Sequence, residues 1–547
     1  MGLEWKYLQY DQLVQALNSY ATEYPHLTKL YSVGKSFEGR ELWVLELTNY
    51  STGGAEDKPG VYIDGNHHAG EVAGSAVCLY TIDYVLNNHG ADPKITYLLD
   101  TSVFYVLPRV SPDGAEFYLT TPYMLRSSVR PYPLPPDEEG LLPEDIDGDG
   151  NILQMRINDE NGEWKVSAGD PRLMVRRAPD DREGQFYRVY TEGHIVNFNG
   201  YDVKPARPKW GLDFNRNYPG NWKPEVQQQG AGPYPFSEPE TRAVGDFFLS
   251  HPNIAVALSY HTSGGIILRP RCAGADKTIA STDLAAMKAI GERGKELTGY
   301  PTWSIFESFT VNPNRPSAGS FIDFSFDNLG IVCFATELWD MAGRADLPKR
   351  TLKQLVELTD AEREADSLKL LKWNDEVLSG KGFVPWTAFD HPQLGAVEIG
   401  GWLPKTVQQN PPTELLQDEC HKNMLFSLAL AATVPRLSIT KVRVEPLSTD
   451  TYRVVVGVEN TGFLPTSGSE AAIRAQVARP VEVELIGAHI LQGPAEHKLG
   501  HLPGRSSHGG FNTTKKVEWL IKAQSGSIIT VCARAPRAGN ASTAITL

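Results

Sequence analysis

The sequence predicts an α/β domain with a mixed, mostly parallel sheet flanked by helices over residues 1–435, followed by an all-β sandwich over residues 436–547. Three observations support this prediction. Short apolar runs of strand type alternate with amphipathic helical stretches in the first region, which is typical of a largely parallel or mixed sheet. Helical periodicity stops near Arg436. The chain of 547 residues also exceeds the roughly 250 to 300 residues at which one core stops growing.

The predicted elements of the α/β region follow in a regular order. A helix from about Tyr10 to Tyr20 precedes a hairpin in "KLYSVGKSFEGRELWVLELTN". A buried strand, "PGVYIDG", then leads into an amphipathic helix, "GSAVCLYTIDYVLNN". Further apolar strands are expected in "TSVFYVLPRV", "NIAVALSYHT" and "GIVCFATELW", and further helices in "STDLAAMKAIGERGKELTG" and "PPTELLQDECHKNMLFSLALAATVP".

Two segments depart from this alternation. Residues from about 130 to 207 are rich in Pro, Asp and Gly, and we expect a long insertion that emerges from a loop without a core of its own. After Arg436, alternating runs such as "YRVVVGVENTG" and "GSIITVCARA", separated by turn residues, predict the short strands of the sandwich.

Composition excludes several classes of protein. The chain is 41% hydrophobic and 22% charged, and no run approaches the roughly 18 apolar residues of a membrane span. The formal charge is −14 without a Lys/Arg block, so neither a membrane nor a nucleic acid is an expected partner. The N-terminus lacks a signal-peptide pattern, which predicts a cytoplasmic protein, or a secreted one whose signal has been removed.

The cysteine pattern does not predict a disulfide framework. There are five, an odd number without a CxxC spacing, which argues against both a disulfide scaffold and a thiolate metal site. We expect most of them to be small buried hydrophobic residues. They are Cys78, Cys272, Cys333, Cys420 and Cys532.

The stretch "GNHHAGE" contains a candidate pair of metal ligands. His68 has a glutamate, Glu71, at the third following position, whereas His67 has Gly70 there. At the end of a strand that enters a helix, this spacing can place both side chains on one face. His68 and Glu71 are therefore the candidate ligands, and we expect His67 to be a neighbour behind them or a surface residue.

Two downstream residues strengthen the metal hypothesis. His261 ends the apolar strand in "SYHTSGG", and Glu337 ends another in "CFATELWD". Two histidines and one glutamate, with a fourth position open, are a known ligand set of catalytic zinc. In open α/β sheets, ligands bind outside the carboxyl ends of the strands, where these groups are predicted to lie. Each residue alone could be a satisfied core histidine or a capping glutamate, but that interpretation is poor for all of them together.

These motifs resemble the zinc carboxypeptidase family of the carboxypeptidase A and B type. The resemblance runs over about residues 8 to 380, in the order "SFEGREL", "GNHHAGE", "RVSPDGAEFY", "GLDFNRNYP", "LSYHTSGG", "AGSFIDF" and "CFATELWD". It implies that His68, Glu71 and His261 bind one Zn²⁺ and that Glu337 is the general base. It also implies that Asp213 orients a ligand histidine.

The resemblance further implies the groups that hold a peptide substrate by its free C-terminal carboxylate. Asn215 and Arg216 resemble the pair that binds this carboxylate, for which the planar guanidinium is suited. Arg126 aligns with the arginine that polarises the scissile carbonyl, although Arg130 lies close by. Ile322 falls at the floor of the specificity pocket, and an apolar floor favours an apolar or aromatic C-terminal residue.

Two departures from the family pattern affect these expectations. The pocket tyrosine of the family should fall near Asn314 or Arg315, and neither position is a tyrosine. The long insertion begins just after Arg126 and could form a rim over the cleft. The alternatives are therefore a zinc amidohydrolase of the same fold that acts on cell-wall peptides or acylated amino acids, and a non-catalytic binding protein on this scaffold.

A second cation site is predicted inside the insertion. In "DIDGDGNILQMR", Asp145, Asp147 and Asp149 occupy positions 1, 3 and 5 of a Ca²⁺ loop, with Gly150 at position 6. Position 12 is Arg156 instead of glutamate, so calcium would need another carboxylate such as Asp159 or Glu160. The alternative is a solvated acidic turn.

Overall fold

The computed structural model describes residues 5–133, 139–507 and 513–547. The first part of the α/β region contains α1 (Tyr10–Glu23), β1 (Thr28–Lys35), β2 (Glu41–Leu47), β3 (Gly60–Gly65), α2 (Ala73–Asn88), α3 (Pro93–Thr101), β4 (Val103–Leu107) and α4 (Pro112–Thr120). The insertion contains β5 (Gly140–Pro143), β6 (Gln154–Asn158), β7 (Trp164–Val166), β8 (Met174–Arg176), β9 (Tyr187–Thr191) and β10 (Gly193–Val196).

The second part of the α/β region contains α5 (Pro239–Ser250), β11 (Ile254–Thr262), β12 (Ile266–Arg269), α6 (Ser281–Thr298), β13 (Thr302–Ser304), α7 (Phe321–Asp323), β14 (Val332–Leu338), α8 (Met341–Arg344), α9 (Leu352–Val356), α10 (Asp360–Leu378), β15 (Phe383–His391), β16 (Gly395–Trp402) and α11 (Thr413–Ala431). The last region contains β17 (Leu437–Pro446), β18 (Thr451–Asn460), α12 (Glu470–Arg474), β19 (Glu482–Ile486), β20 (His489–Gln492), β21 (Glu496–Lys498), β22 (Thr514–Lys522), β23 (Ile528–Ala535) and β24 (Gly539–Thr546).

The α/β region is built on an eight-stranded sheet with the order β1-β2-β4-β3-β11-β14-β12-β13. The neighbours β4 and β3, β3 and β11, β11 and β14, and β12 and β13 are parallel, and the remaining pairs are antiparallel. Helix α11 packs on both α2 and α6. Helices α2 and α11 contact the central strand β11, α6 contacts β12 and β13 at one edge of the sheet, and α1 and α5 pack against β1. The predicted mixed, mostly parallel sheet with flanking helices is confirmed.

The central strands are buried throughout because they are covered by helices. All nine residues of β11 and all six of β3 are buried. Such strands carry a continuous apolar run instead of an alternating one, which is why they were recognisable in the sequence. The polar side chains at the ends of these strands therefore border a fully buried core.

The insertion forms a small sheet, and this sheet includes two strands from much later in the chain, in the order β15-β16-β6-β9-β7-β8. Leu153, Met155 and Ile195 form an apolar cluster with Val397 and Ile399 of β16. The apolar cluster of the insertion is therefore shared with β16 and is not complete within the insertion, and the bounds of the insertion stay a prediction.

The last region consists of two four-stranded sheets, β17-β18-β22-β20 and β21-β19-β23-β24. All strand pairs described in them are antiparallel. Val456 and Trp519 of one sheet share an apolar cluster with Val483 and Val531 of the other. The predicted all-β sandwich is confirmed, while the boundary at residue 435/436 stays a prediction.

Buried polar contacts dock the sandwich on the α/β region. The Asp283 carboxylate of α6 accepts hydrogen bonds from the backbone N–H groups of Glu470 (2.8 Å) and Ala471 (3.0 Å) at the start of α12. The buried Arg537 guanidinium donates to the backbone carbonyls of Gly330 (3.1 Å) and Ser467 (2.8 Å). Because a buried charge without partners is costly, these contacts hold the two regions in one arrangement.

The sequence predicts neither a disulfide framework nor a membrane-spanning helix. The five cysteines are all free thiols, and four of them are buried. Within residues 5–133, 139–507 and 513–547, none of the helices combines the length and the apolar composition that crossing a bilayer requires.

Candidate metal and substrate site

The register of three neighbouring parallel strands brings the candidate residues together. Tyr260 of β11 lies opposite Gly65, the last residue of β3, and His261 lies opposite Glu337 of β14. The turn that follows β3 and the ends of β11 and β14 therefore meet at the carboxyl edge of the sheet. This is the edge at which open α/β sheets bind their ligands.

The turn after β3 is shaped by close backbone contacts. A Cβ atom on Gly65 would lie 2.5 Å from the backbone of Gly74, so only glycine allows α2 to approach the strand this closely. Asn66 adopts a left-handed conformation, with φ at 62°, which asparagine tolerates better than most residues. Its side-chain amide donates to the carbonyls of His68 (2.9 Å) and Ala69 (3.1 Å). The turn thereby fixes the direction of the His68 side chain.

His68, Glu71 and His261 converge on one point. The two Nδ1 atoms of His68 and His261 lie 3.1 Å apart. Glu71 Oε1 lies 2.8 Å from His68 Nδ1, and Oε2 lies 2.9 Å from His261 Nδ1. All three residues are buried. Ligand atoms about 2.0 to 2.1 Å from one tetrahedral Zn²⁺ lie roughly 3.3 Å from each other, close to the observed spacing.

The Nε2 atoms of the two histidines point away from the cluster. Their hydrogen-bond partners determine whether Nδ1 carries the lone pair that a metal ion needs. Asp213 Oδ1 lies 3.1 Å from His68 Nε2, and Ser259 Oγ lies 3.3 Å from His261 Nε2. Because an ionised carboxylate can only accept, it requires N–H at His68 Nε2 and leaves a lone pair on Nδ1 of the neutral ring. A lone pair facing the second Nδ1 and a carboxylate is suited to a shared cation, so the residues fit a zinc ion.

His67 is buried behind this cluster and is not at the surface. Its Nε2 lies 2.8 Å from the Tyr218 hydroxyl, and its Nδ1 lies 3.2 Å from Ser259 Oγ. Ser259 therefore bridges His67 and the candidate ligand His261. Sequence reasoning missed Ser259, although a residue two positions before His261 on a strand points to the same face of the sheet.

Arg126 lies beside the cluster, half-exposed. Its Nε donates to Asp213 Oδ2 (3.0 Å), and its Nη1 lies 3.4 Å from Glu71 Oε1. Burial raises the pKa of Asp213, but the charges of Arg126 and Arg216 and the contact with His68 together outweigh burial and hold that pKa well below its usual range. Arg130, the competing candidate, is instead bound by Glu238 through contacts of 2.9 and 2.5 Å.

Asn215 and Arg216 lie on a short 3-10 turn, Phe214–Arg216, that contacts the predicted pocket floor. The Asn215 Oδ1 atom accepts from the backbone N–H of Phe321 (2.9 Å). Arg216 Nη1 donates to the Asn215 carbonyl (2.6 Å). Ile322 is 3% exposed and belongs to the main apolar cluster of the sheet. Arg315, at one of the two positions where the family pattern predicts the pocket tyrosine, lies in an exposed loop.

Glu337 is a partly buried carboxyl on β14. Burial, and then the negative charge of Glu71, raise its pKa to about 7, although His261, Arg126 and Arg216 act in the opposite direction. A carboxyl with a pKa near neutrality can both accept and return a proton at physiological pH. The arrangement therefore brings a cation site, an acid–base group and two arginines close enough to influence one another electrostatically.

The acidic loop of the insertion is organised differently. Its three carboxylates, those of Asp145, Asp147 and Asp149, approach within 4.8 Å of one another and are partly or fully exposed. Asp145 accepts from the backbone N–H groups of Gly148 and Gly150 at 2.8 and 2.9 Å. Asp159, a candidate for completing the site, is instead paired with Arg188 at 2.6 Å.

Comparison with known proteins agrees with this geometry. A sequence profile described as "Zinc carboxypeptidase" matches residues 13–361, and a profile described only as a domain of unknown function matches residues 436–546. Carboxypeptidase A2 of Mus musculus is 26% identical over 334 residues, which are 60% of this chain and 62% of that protein. Carboxypeptidase D of Mus musculus is 39% identical over 100 residues, which are 18% of this chain and 7% of that protein.

The chain thus spans less than two thirds of the length of either relative. Among solved structures, bovine thrombin-activatable fibrinolysis inhibitor, in complex with tick carboxypeptidase inhibitor, matches with a TM-score of 0.42 at 16% identity. The match covers 78% of this chain and 97% of that one. Since the zinc carboxypeptidase profile covers well over half of the 547 residues and includes the whole cluster at the sheet edge, the chain belongs to the zinc carboxypeptidase family.

Proposed function

We propose that the protein is a zinc-dependent metallocarboxypeptidase that removes single residues from the C-terminus of peptides. The observation that carries this proposal is the convergence of His68, Glu71 and His261, within electrostatic reach of Glu337. The first three residues would hold Zn²⁺. A zinc ion bound there supplies Lewis acidity, which polarises a carbonyl oxygen and lowers the pKa of water.

Glu337 would move the protons of the reaction. A raised pKa leaves this carboxyl close to the balance between its two forms, so it can accept a proton from the attacking water and deliver it to the leaving amine. Arg126 would stabilise the negative charge that develops on the scissile carbonyl oxygen. Its own guanidinium is held in place by Asp213 and Glu71.

Arg216 and Asn215 would select substrates with a free C-terminus. A fixed guanidinium that is partly removed from solvent binds a carboxylate strongly, and a substrate without that carboxylate would leave the charge unpaired. Ile322 offers no charge to a C-terminal side chain. We therefore infer a preference for apolar or aromatic C-terminal residues over basic ones.

The decisive experiment is a C-terminal specificity profile. Peptides that differ only in their last residue are incubated with the protein, with and without a zinc chelator, and the products are read by mass spectrometry. We expect loss of single C-terminal residues, no cleavage of C-terminally amidated peptides, and no reaction with the chelator. Internal cleavage, or chelator-resistant cleavage, would contradict the proposal.

One observation favours an alternative substrate. The exposed loop that contains Asn314 and Arg315 has no tyrosine at those positions, so another group would have to close the pocket. Such a pocket would be compatible with a zinc amidohydrolase that acts on cell-wall peptides or acylated amino acids. Hydrolysis of these compounds with none of ordinary peptides would identify it.

A non-catalytic binding protein is the remaining alternative, because the family includes inactive members. Absence of bound metal in elemental analysis, together with retained peptide binding, would identify this case. Calcium at Asp145, Asp147 and Asp149 also stays a prediction, and the structure supplies only the loop geometry for it.

A further inference from the structure

A cavity of about 680 Å³ lies between the insertion and the α/β region. This volume is in the range of sites that bind small molecules or side chains. We call it the insertion pocket, and its walls include Tyr123, Ile152, Arg207, Lys209, Trp210 and Trp402. These walls come from the segment after α4, from the insertion and from the end of β16, so the pocket exists only because the insertion is present.

Three residues that line the insertion pocket are close in sequence to residues in or beside the metal cluster. Met124 lines the pocket and lies two residues before Arg126, which places their Cα atoms within about 7 Å. Trp210 lies three residues before Asp213. Gln408 lines the pocket, and two residues later the Asn410 side chain donates to the carbonyl of Gly70 (2.8 Å), the neighbour of Glu71. The pocket therefore lies beside the Arg126 and Asp213 side of the cluster.

The charge of the insertion pocket is opposite to that of the protein. Its lining includes Arg207 and Lys209 but no aspartate or glutamate, in a chain with a formal charge of −14, whereas the lining residue His194 is paired with Glu144. Arg207 and Lys209 are exposed, and no carboxylate among the described residues lies within ion-pair distance of either. Two unpaired cations beside a cavity attract an anionic group.

The remaining walls of the pocket are apolar and aromatic. The rings of Tyr123 and Trp210 are 6.2 Å apart, and the Lys209 ammonium lies 5.2 Å from the Trp210 ring centre. Rigid aromatic walls bury the stems of bound side chains while the cations contact their ends. The combination suits acidic side chains that enter from the direction of the metal cluster.

We propose that the insertion pocket binds acidic residues of a peptide substrate that lie two to four positions before the scissile bond. This inference rests on the proposed carboxypeptidase function, in which Arg126 contacts the scissile carbonyl. An extended peptide advances about 3.3 to 3.6 Å per residue, so the pocket wall at Met124, whose Cα atom lies within about 7 Å of that of Arg126, is within reach of residues two or more positions upstream. The insertion then selects substrates by their upstream sequence.

The test uses two peptides that share one C-terminal residue and carry either two glutamates or two glutamines at these upstream positions. We expect kcat/KM to be roughly three- to tenfold higher for the glutamate peptide, mainly through KM, because two exposed ion pairs contribute modestly. The preference should weaken at high salt. The double variant Arg207→Gln/Lys209→Gln should lose the preference and keep its activity on the glutamine peptide.

A matched control separates the pocket from overall charge. The double variant Arg182→Gln/Lys204→Gln removes two exposed cations of the same insertion that do not line the pocket, and it should keep the preference. Equal loss in both double variants, or hydrolysis of both peptides at equal rates by the unmodified protein, would overturn the proposal.

A binding measurement distinguishes failure of this inference from failure of the proposed function. A fluorescent glutamate peptide with an amidated C-terminus is titrated with the unmodified protein and with both double variants, and anisotropy is recorded. Binding that only Arg207→Gln/Lys209→Gln weakens, without hydrolysis of any free peptide, would support the pocket and reject the carboxypeptidase. Absence of binding, together with hydrolysis at a rate independent of the upstream residues, would support the carboxypeptidase and reject the pocket.

Discussion

The described part of the chain contains two clusters of side chains that could hold a cation, and they differ in what satisfies their polar atoms. In the buried cluster of His68, Glu71 and His261, the outer histidine nitrogens are occupied by Asp213 and Ser259, and the inner atoms face each other. In the acidic loop of Asp145, Asp147 and Asp149, the carboxylates already accept hydrogen bonds from the backbone of the same loop.

The comparison shows that proximity of ligand atoms does not by itself define a metal site. The buried cluster is held by three strands and by residues distant in sequence, so each ligand side chain has a defined direction. The loop is held by its own turn, and water can replace an ion at its exposed carboxylates. We therefore expect substitutions in the buried cluster to have much larger effects than substitutions in the loop.

The largest effect is expected for His261→Ala. Loss of one of three protein ligands should reduce zinc from about one ion per chain to a small fraction of that and abolish peptide hydrolysis. Elemental analysis after dialysis and the peptide assay measure both. The control is His421→Ala, an exposed histidine that contacts Tyr80, and it should keep zinc and activity. Full zinc retention in His261→Ala would mean that the cluster is not the metal site.

The next largest effect separates metal binding from turnover. Glu337→Gln should keep zinc, because Glu337 is not one of the converging ligands, and should lower kcat by about 100-fold or more, the typical contribution of a general base. Zinc content and kcat are measured on the same preparation. Loss of zinc would make Glu337 a ligand, and an unchanged kcat would remove it from the mechanism.

The pH profile provides a second measurement of the same residue. Glu337 can accept a proton only when ionised, so activity should fall as pH falls through its pKa. Burial raises that pKa from 4.5 to about 7, and a bound cation would lower it, so the midpoint of the acidic limb should lie between these values. A limb that persists unchanged in the residual activity of Glu337→Gln would assign it to another group.

A smaller effect is expected for Ser259, which contacts a ligand histidine but is not itself a ligand. Ser259→Ala removes the hydroxyl that lies 3.3 Å from His261 Nε2 and should weaken zinc binding by roughly tenfold, the lower end of such effects. Competition with a chromogenic chelator measures the affinity. Ser325→Ala, at another fully buried serine, is the control and should leave zinc affinity unchanged. An equal loss in both variants would indicate general destabilisation.

Much of this site could be predicted from the sequence, for a physical reason. Buried parallel strands are continuous apolar runs, and the polar residues that end them, His261 and Glu337, must meet at one edge of the sheet. The contacts of His67 could not be predicted, because its partners Tyr218 and Ser259 are 151 and 192 residues away. The sheet of the insertion was missed for the same reason, since β15 and β16 complete it from far along the chain.

The smallest effect is expected in the acidic loop. A weak extracellular-type calcium loop has a Kd of about 10⁻⁴ to 10⁻³ M, so roughly 2 mM calcium would stabilise the folded state by only about 1 to 2 kcal/mol. Asp147→Asn removes one charge and keeps an oxygen that can accept from the Asp149 N–H (3.1 Å), so the turn should persist while calcium stabilisation is lost. Thermal unfolding with and without calcium measures this difference. Because the loop belongs to the insertion and not to the sheet edge, zinc content and kcat should be the same in Asp147→Asn and in the unmodified protein. A parallel loss of activity would connect the two clusters and break the comparison.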